Sequence, residues 1–178
     1  MDFITHVLGD VETVSAELST SWPIVDVYNE ENHVVERNIP KHAADQAFIT
    51  GRLVSSIPYS LIFRGGDPMD QKDGLRWTII AEKGELQLSG DTVMLNIGSD
   101  DLKLRWKEYA TGKIKDIPIT ARKEDLSHPA RNVGMALDSF AERDGNGATF
   151  DDAMEMHHFV EAVYQSARRG GVAVPKHE

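Results

Sequence analysis

The sequence predicts an α+β fold: an open-faced, mainly antiparallel β-sheet with two or three helices packed on one face. Two observations predict it. Short segments with the alternating apolar pattern of strands recur up to residue 109, whereas residues 129–170 show the three- and four-residue spacing of helices. Strands followed by helices are typical of α+β folds. We expect one domain over residues 1–178, because domains cluster at roughly 100–150 residues.

The first predicted elements are a short helix and a strand. Residues 1–8 have a helical pattern that ends at Gly9, since glycine readily adopts the left-handed conformation that closes a helix. In residues 11–20 the even positions are the more apolar, which predicts a half-buried strand. Residues 21–44 hold two prolines and many charges, so we expect an irregular segment with at most a short strand at 33–37.

The middle of the chain predicts further strands. Residues 46–54 and 57–64 are expected to form a hairpin through the tight link Ser55-Ser56. A loop that begins with Gly65-Gly66-Asp67-Pro68 follows. Beyond it, strands are predicted at 75–81, 85–89, 92–97 and 102–109.

Two helices are predicted near the end, over 129–143 and 149–170. Pro129 suits the first turn of a helix, and Thr149 followed by Asp152 resembles a capping box. The second helix has an apolar face that includes His157, which we expect to be a core histidine. The other members of this face are Phe150, Met154, Val160, Tyr164 and Ala167.

Composition excludes several classes of function. The chain has 19 Lys and Arg against 29 Asp and Glu, and no window combines basic with aromatic residues, so binding to nucleic acid or to anionic membranes is disfavoured. The absence of cysteine excludes disulfides, thiolate nucleophiles and thiolate metal sites. No apolar run approaches the ~18 residues of a membrane span, and no signal peptide is recognisable. We expect a cytoplasmic protein.

Three segments, in this order, resemble the carboxy-terminal domain of the Gfo/Idh/MocA oxidoreductases, in particular the fungal galactose-repressor type. The first runs from Asp2 through Leu8-Gly9-Asp10 into the strand that follows. The second runs from Arg64-Gly65-Gly66 through residues 75–79 to residue 86. The third is the closing helix, with its Ser-Ala-Arg-x-Gly tail ending at Gly170.

The resemblance implies a scaffold without the family's redox chemistry. The chain contains neither the Gly-x-Gly-x-x-Gly fingerprint nor the family's lysine motif, so we expect no cofactor and no nicotinamide-dependent hydride transfer by this chain alone. No metal is expected either. A calcium-loop-like run from Asp144 to Glu155 has Thr149 where such loops need glycine. The resemblance also implies a homodimer through the open sheet face.

The candidate site residues form two groups. Asp2 and His6 lie four residues apart on the first helix, where a carboxylate can orient an imidazole for proton transfer, and we expect them to be catalytic with Arg64. The remaining candidates, expected to bind substrate, are Tyr59, Asp67, Arg76 and Trp77. The alternatives are that Asp2 only favours the helix terminus, that His6 is a surface residue, that the arginines form cross-strand ion pairs and that Tyr59 is a core residue.

Two functions remain open at this point. One is a cofactor-independent enzyme of the isomerase, cyclase or lyase type, performing proton transfer or a pericyclic step on a hydrophobic metabolite, as in secondary metabolism. The other is a non-catalytic, dimerising module that binds a ligand or regulates, with a full-length oxidoreductase as one potential partner.

Overall fold

The computed structural model describes residues 2–66, 69, 74–93, 102–119, 127–143 and 147–177. Within these residues the chain forms three helices and ten strands, and the paired strands are antiparallel, which confirms the α+β fold. The elements, in chain order, are α1 (Asp2–Leu8), β1 (Val11–Ser19), β2 (Ile24–Tyr28), β3 (Val34–Pro40), β4 (Gln46–Leu53), β5 (Pro58–Arg64), β6 (Leu75–Ala81), β7 (Gly84–Gly90), β8 (Lys103–Glu108), β9 (Ile114–Ile117), α2 (His128–Glu142), α3 (Phe150–Arg168) and β10 (Val174–Pro175).

The chain divides into two compact units. The first unit comprises Met1–Gly66 and Thr149–Glu178, and the second comprises Asp67–Ala148. In the described residues the strands form three sheets: β10-β1-β4-β5 and the β2-β3 hairpin in the first unit, and β6-β7-β8-β9 in the second. The count of one domain over residues 1–178 stays a prediction.

The core of the first unit lies between its four-stranded sheet and α3. Successive side chains of a strand point to opposite faces, and β1 buries Val14 and Ala16 on the side of the helix, as predicted. β4, the neighbouring strand of the sheet, adds Ile49 and Leu53 to the core. The complete set of buried core residues is Val11, Val14, Ala16, Ile49, Leu53, Phe159, Ala162, Val163 and Val174.

α3 buries a different face from the one predicted. Its buried residues are Phe159, Ala162, Val163 and Ser166, and the prediction of a buried His157 is wrong because that residue is exposed. The predicted stripe, which includes Phe150 and Tyr164, lies on the opposite side of the helix and is also exposed. The buried face therefore combines the apolar Phe159 and Val163 with the small Ala162 and Ser166.

Three strands, β2, β9 and β10, were not predicted, whereas the short strand expected at 33–37 is present as β3. β2 and β3 form a hairpin inside the segment expected to be irregular, and its turn is held by Asn29, whose side chain accepts the backbone N–H groups of Glu31 and His33. β9 pairs with β8, and β10 pairs with β1. The predicted strand at 92–97 is not seen at residues 92–93, and residues 94–97 lie outside the described part.

The second unit contains a four-stranded meander. Its register places Trp77 opposite Leu88, which in turn lies opposite Leu104 of β8. This apolar row continues to Ile117 of β9, so one face of the sheet is apolar from edge to edge. The other face carries Arg105, which donates a hydrogen bond to Gln87.

Candidate functional site

The predicted site residues divide between the two units. His6, Tyr59 and Arg64 belong to the first unit, whereas Arg76 and Trp77 belong to the second. Asp67 lies outside the described residues. Asp2 begins α1, but its side chain lies outside the described part of the structure, so the predicted contact between Asp2 and His6 has no described geometry.

His6 lies on the exposed side of α1. The helix is anchored by Ile4, which is buried, and it ends where the backbone N–H of Gly9 donates to the carbonyl of Thr5 at 2.9 Å. Gly9 has φ of +92°, the left-handed conformation that the sequence predicted for the end of this helix. The His6 imidazole is therefore presented to solvent by a helix fixed at both its apolar face and its carboxyl end.

Tyr59 has a structural partner. Its hydroxyl donates to the carbonyl oxygen of Thr13 at 3.2 Å, and burial raises the pKa of Tyr59 to about 12. Opposite it on β4 stands Gly51, where a Cβ atom would lie 1.9 Å from the Thr13 oxygen and 2.8 Å from the Tyr59 hydroxyl. The ring thus occupies the space that a side chain at position 51 would take, and the hydroxyl joins β5 to β1.

Arg64 lies at the other end of the first sheet. It pairs with Gln46, which pairs with Ser19, whereas α1 leads into the opposite end of β1 at Val11. The nine residues of β1 span about 26 Å at roughly 3.3 Å per step. His6 is five residues before Val11, a stretch that spans at most about 18 Å, so its backbone remains roughly 8 Å or more from that of Arg64. The register thus places α1 and Arg64 at opposite ends of this sheet.

Asp45 organises the end of the sheet at which Arg64 lies. This carboxylate is buried and accepts the backbone N–H groups of Ser21 and Trp22 at 2.8 and 3.0 Å. It also accepts hydrogen bonds from Lys41 Nζ at 2.7 Å and from Gln46 Nε2 at 3.2 Å. Burial by itself would raise the pKa of Asp45, but these four donors outweigh burial and hold the pKa well below its usual range.

Trp22 is held across the same end of the sheet. A Cβ atom at Gly66 would lie 2.8 Å from the indole ring, and Gly66 has φ of +87°, so this position favours glycine on both counts. Lys41 Nζ lies 5.9 Å from the indole centroid. Although its backbone is fixed by Asp45, the Trp22 side chain remains 46% exposed. The result is a positioned aromatic surface beside the glycine turn.

The sequence predicted the loop that contains Gly66, but it did not identify Trp22, Lys41 and Asp45 as candidate site residues. They lie in or next to the segment predicted to be irregular. Lys41 and Asp45 are four residues apart, a spacing that signals an ion pair on a helix, yet no helix is present there. The available signal was the position of Asp45 directly before a predicted strand, where a carboxylate can accept the N–H groups of a turn.

In the second unit, Arg76 and Trp77 do not share a face. They are adjacent in β6, and neighbouring strand residues point to opposite sides of the sheet. Trp77 is partly buried in the apolar row, whereas Arg76 is exposed and pairs in register with Ser89. A ligand lying on one face of this sheet contacts one of the two side chains.

A polar cluster joins α3 to the last strand. Lys176 is buried and pairs with Glu155, and His177 Nε2 lies 3.1 Å from the same carboxylate. The hydrogen bond from Lys176 lowers the pKa of Glu155. Glu155 was the last position of the calcium-loop-like run, of which residues 144–146 lie outside the described part. In the described ranges, no three His, Asp or Glu side chains come together as metal ligands would.

The elements and their order define a class. An antiparallel α+β scaffold that opens with α1 and carries α3 before its last short strand is also the fold of solved dehydrogenase structures, in agreement with the resemblance in the sequence. Residues 1–90 match the family model described as the Gal80p C-terminal domain, and the chain belongs to this family of Gal80p C-terminal-like domains.

Solved structures agree with this assignment. The chain is similar to a super-repressor mutant of Gal80p from Saccharomyces cerevisiae, with 20% identity, a TM-score of 0.77 and coverage of 98% of this chain and 46% of that chain. Gal80p of Kluyveromyces lactis, a transcriptional regulator, has 20% identity and a TM-score of 0.74, and the match covers 98% of this chain and 45% of that chain. The WlbA dehydrogenase from Bordetella pertussis, in complex with NADH and UDP-GlcNAcA, has 19% identity and a TM-score of 0.56, and the match covers 98% of this chain and 41% of that chain.

These similarities establish the fold. The chain spans just under half the length of the structures it matches. No protein of curated function matches its sequence significantly. Among the helices that the structure describes, none combines the length and apolar character needed to cross a membrane.

Proposed function

We propose that the chain is a non-catalytic module that binds a small ring-shaped molecule and acts in regulation. The observation that carries this proposal is the arrangement around Trp22: Asp45 accepts its backbone N–H, and its half-exposed indole ring lies against Gly66 and beside Lys41. Aromatic faces of this kind supply large contact area at low entropic cost, and neighbouring polar groups orient the ligand. Kinship with Gal80p, whose Kluyveromyces lactis member is a transcriptional regulator, supports a regulatory role.

The placement of the candidate residues also favours binding over catalysis. General acid–base catalysis requires the acting groups to lie within hydrogen-bond reach of one proton. The register instead separates His6 from Arg64, and the Tyr59 hydroxyl is already engaged with Thr13 and has a raised pKa. These placements support a binding role over one proton-transfer site formed by the three residues.

The binding role is tested by thermal denaturation against a panel of sugars, sugar acids and aromatic metabolites, with nicotinamide dinucleotides as the control. We expect at least one ring compound to raise the melting temperature and the dinucleotides to have no effect. Trp22→Ala should abolish the stabilisation, whereas Tyr28→Ala, at an exposed aromatic residue of the neighbouring hairpin, should preserve it. Stabilisation that survives Trp22→Ala would refute the assigned site.

A cofactor-independent enzyme is the second candidate. It is favoured by the exposure of His6 on α1, four residues after Asp2, where proton transfer to a bound metabolite is sterically open. In this proposal Asp2 orients His6 and the two act in catalysis with Arg64, and the substrate-binding candidate of the same unit is Tyr59.

Turnover of a stabilising compound decides between the two candidates. If the enzyme proposal is correct, His6→Ala lowers kcat by about 10²-fold or more, the scale of general acid–base catalysis. His42→Ala, at another exposed histidine of the first unit, should leave the rate unchanged. Equal rates for the two variants, or no conversion of any stabilising compound, would leave only the binding role.

We further propose a homodimer through the open face of the first sheet. Phe48 of β4 and Ile62 of β5 are directly opposite one another on this face, with exposures of 49% and 69%. Polar residues surround the pair, and Thr50 lies opposite Ser60 in the next row of the same face. An apolar centre within a polar rim is the usual anatomy of a protein interface.

Light scattering after size-exclusion chromatography tests this dimer. Ile62→Lys should shift the protein towards the monomer, because it places a charge at the centre of the apolar pair. Ile80→Lys is the matched control, since Ile80 is an exposed strand isoleucine of the second unit. A dimer that resists Ile62→Lys would show that this face is not the interface.

A further inference from the structure

The outer side of α3 is an apolar surface opposite the helix face that packs on the sheet. Phe150 is 92% exposed, and Met154, Val160 and Tyr164 are each about half exposed. The helical spacing places Phe150, Met154 and Tyr164 along one stripe, on the side away from Phe159 and Ala162, whereas Val160 lies beside that stripe. We call Phe150, Met154, His157, Glu161, Tyr164 and Arg168 the outer stripe. Exposed apolar stripes of this kind mark contact sites.

The outer stripe is nearly self-complementary when reversed. Its positions are symmetric about residue 159, so that 150 corresponds to 168, 154 to 164 and 157 to 161. In an antiparallel pair of identical helices, Met154 therefore meets Tyr164 of the second copy, a favourable contact of sulfur with an aromatic ring. Glu161 pairs with Arg168 of its own chain at 2.7 Å. In the antiparallel pair His157 meets this carboxylate, and Phe150 meets Arg168, which offers a cation–π contact.

The charges at the two ends of α3 favour the same arrangement. The first turn carries Asp151 and Asp152, and the last turn ends with Arg168, followed by Arg169 at the cap position. In an antiparallel pair the acidic end of each helix lies beside the basic end of the other, and the helix dipoles are aligned favourably. A parallel pair would instead place like charges together at both ends.

We propose that a second copy of this chain docks on the outer stripe, pairing α3 with α3 in an antiparallel, two-fold arrangement. This surface lies on the opposite side of the first unit from the open sheet face, because α3 covers the other face of that sheet. The proposal is therefore independent of the sheet-face dimer and of the ligand role. A two-fold contact is self-complementary, as the reversed stripe requires.

Single-cysteine crosslinking tests the register directly, since the native chain contains no cysteine. Chains with Met154→Cys and chains with Tyr164→Cys are purified separately and then mixed with a short thiol-to-thiol crosslinker. We expect covalent dimers in the mixture and few or none in either protein alone, because position 154 faces position 164 and not itself. Ile80→Cys mixed with Met154→Cys is the control for random collision.

A second measurement keeps the proposal testable if the cysteine variants fold poorly. Met154→Glu should weaken self-association about tenfold or more in sedimentation equilibrium, whereas Ile62→Lys at the sheet face should leave the α3 crosslink intact. Crosslinks that form equally in the unmixed proteins would overturn the antiparallel register. Monomeric protein that gives no crosslink, or self-association unchanged by Met154→Glu, would overturn the docking surface itself.

Discussion

The Ser166 side chain links α3 to β1 by a hydrogen bond, and its replacement by alanine tests how much this link stabilises the first unit. The side chain is completely buried, and its Oγ accepts the backbone N–H of Ala16 at 2.8 Å while donating to the carbonyl of Val172 at 2.7 Å. β10 pairs with β1 only at Thr13 and Val14. Ser166 therefore substitutes for a neighbouring strand beyond the end of β10.

Ser166→Ala leaves the N–H of Ala16 without an acceptor in a residue that is only 1% exposed. Such an unsatisfied buried group costs about 1–3 kcal/mol. The carbonyl of Val172 belongs to an exposed residue and can bind water instead, so it adds little. For a chain of this length each kcal/mol lowers the melting temperature by about 2–4 °C, which gives an expected decrease of about 2–12 °C.

Urea denaturation measures the free energy of unfolding, and native-state hydrogen exchange measures the Ala16 amide itself. Exchange of that amide should accelerate more than exchange of the other β1 amides. Ser60→Ala is the control, because Ser60 is an exposed serine on the neighbouring strand β5. If Ser166→Ala costs no more than the control, or if Ala16 remains as protected as in the native chain, the assigned role of Ser166 is refuted.

Three further predictions concern the same unit. Leu53→Ala should cost about 2–5 kcal/mol in urea denaturation because Leu53 is fully buried, whereas Val54→Ala, at a largely exposed neighbour, should cost far less. The pKa of Asp45 is lowered in the folded protein, so its contribution to stability is present above pH ~4 and is lost as the pH falls below that value. The difference in the free energy of unfolding between the native chain and Asp45→Asn should therefore become smaller in acid. Tyr59→Phe should cost about 1 kcal/mol, and because burial raises the pKa of Tyr59 to about 12, ultraviolet titration of the variant should lose a tyrosine that ionises above the ordinary range.

The sequence was sufficient to predict elements whose signal is local. The alternation in β1, the hairpin of β4 and β5 and the capping box of α3 are set by neighbouring residues, and the structure confirms all three. β9 and β10 escaped prediction because strands of four and two residues carry almost no periodic signal. Their pairing depends on the partner strands, which the sequence does not identify.

The buried face of α3 shows a second limit. Both sides of this helix carry apolar residues at helical spacing, so periodicity alone does not distinguish the side that packs on the sheet. The prediction chose the stripe with the larger side chains. In the structure, the stripe that contains Ala162 and Ser166 packs on the sheet. The Oγ atom of Ser166 is needed there because it accepts a backbone N–H of β1.

The sequence supplied plausible residue types for a site, but it did not supply the strand register that decides which of these residues lie close together. A sequence shows that Arg64 ends a strand and that His6 lies on a helix, but only the pairing of Ser19 with Gln46 and of Gln46 with Arg64 places them at opposite ends of one sheet. Arg76 and Trp77 are a simpler case. Once β6 was predicted as a strand, alternation already implied that the two side chains diverge.

The motifs that carried the family resemblance now have physical explanations, and each is a feature of the scaffold. Gly9 ends α1 in a left-handed conformation, Gly66 makes room for Trp22, and Ser166 completes the hydrogen bonding of β1. These roles are structural, and none of them involves a substrate. The motifs therefore report ancestry and fold, and the function of this chain must be sought in exposed side chains such as Trp22 and the outer stripe of α3, which the fold does not need.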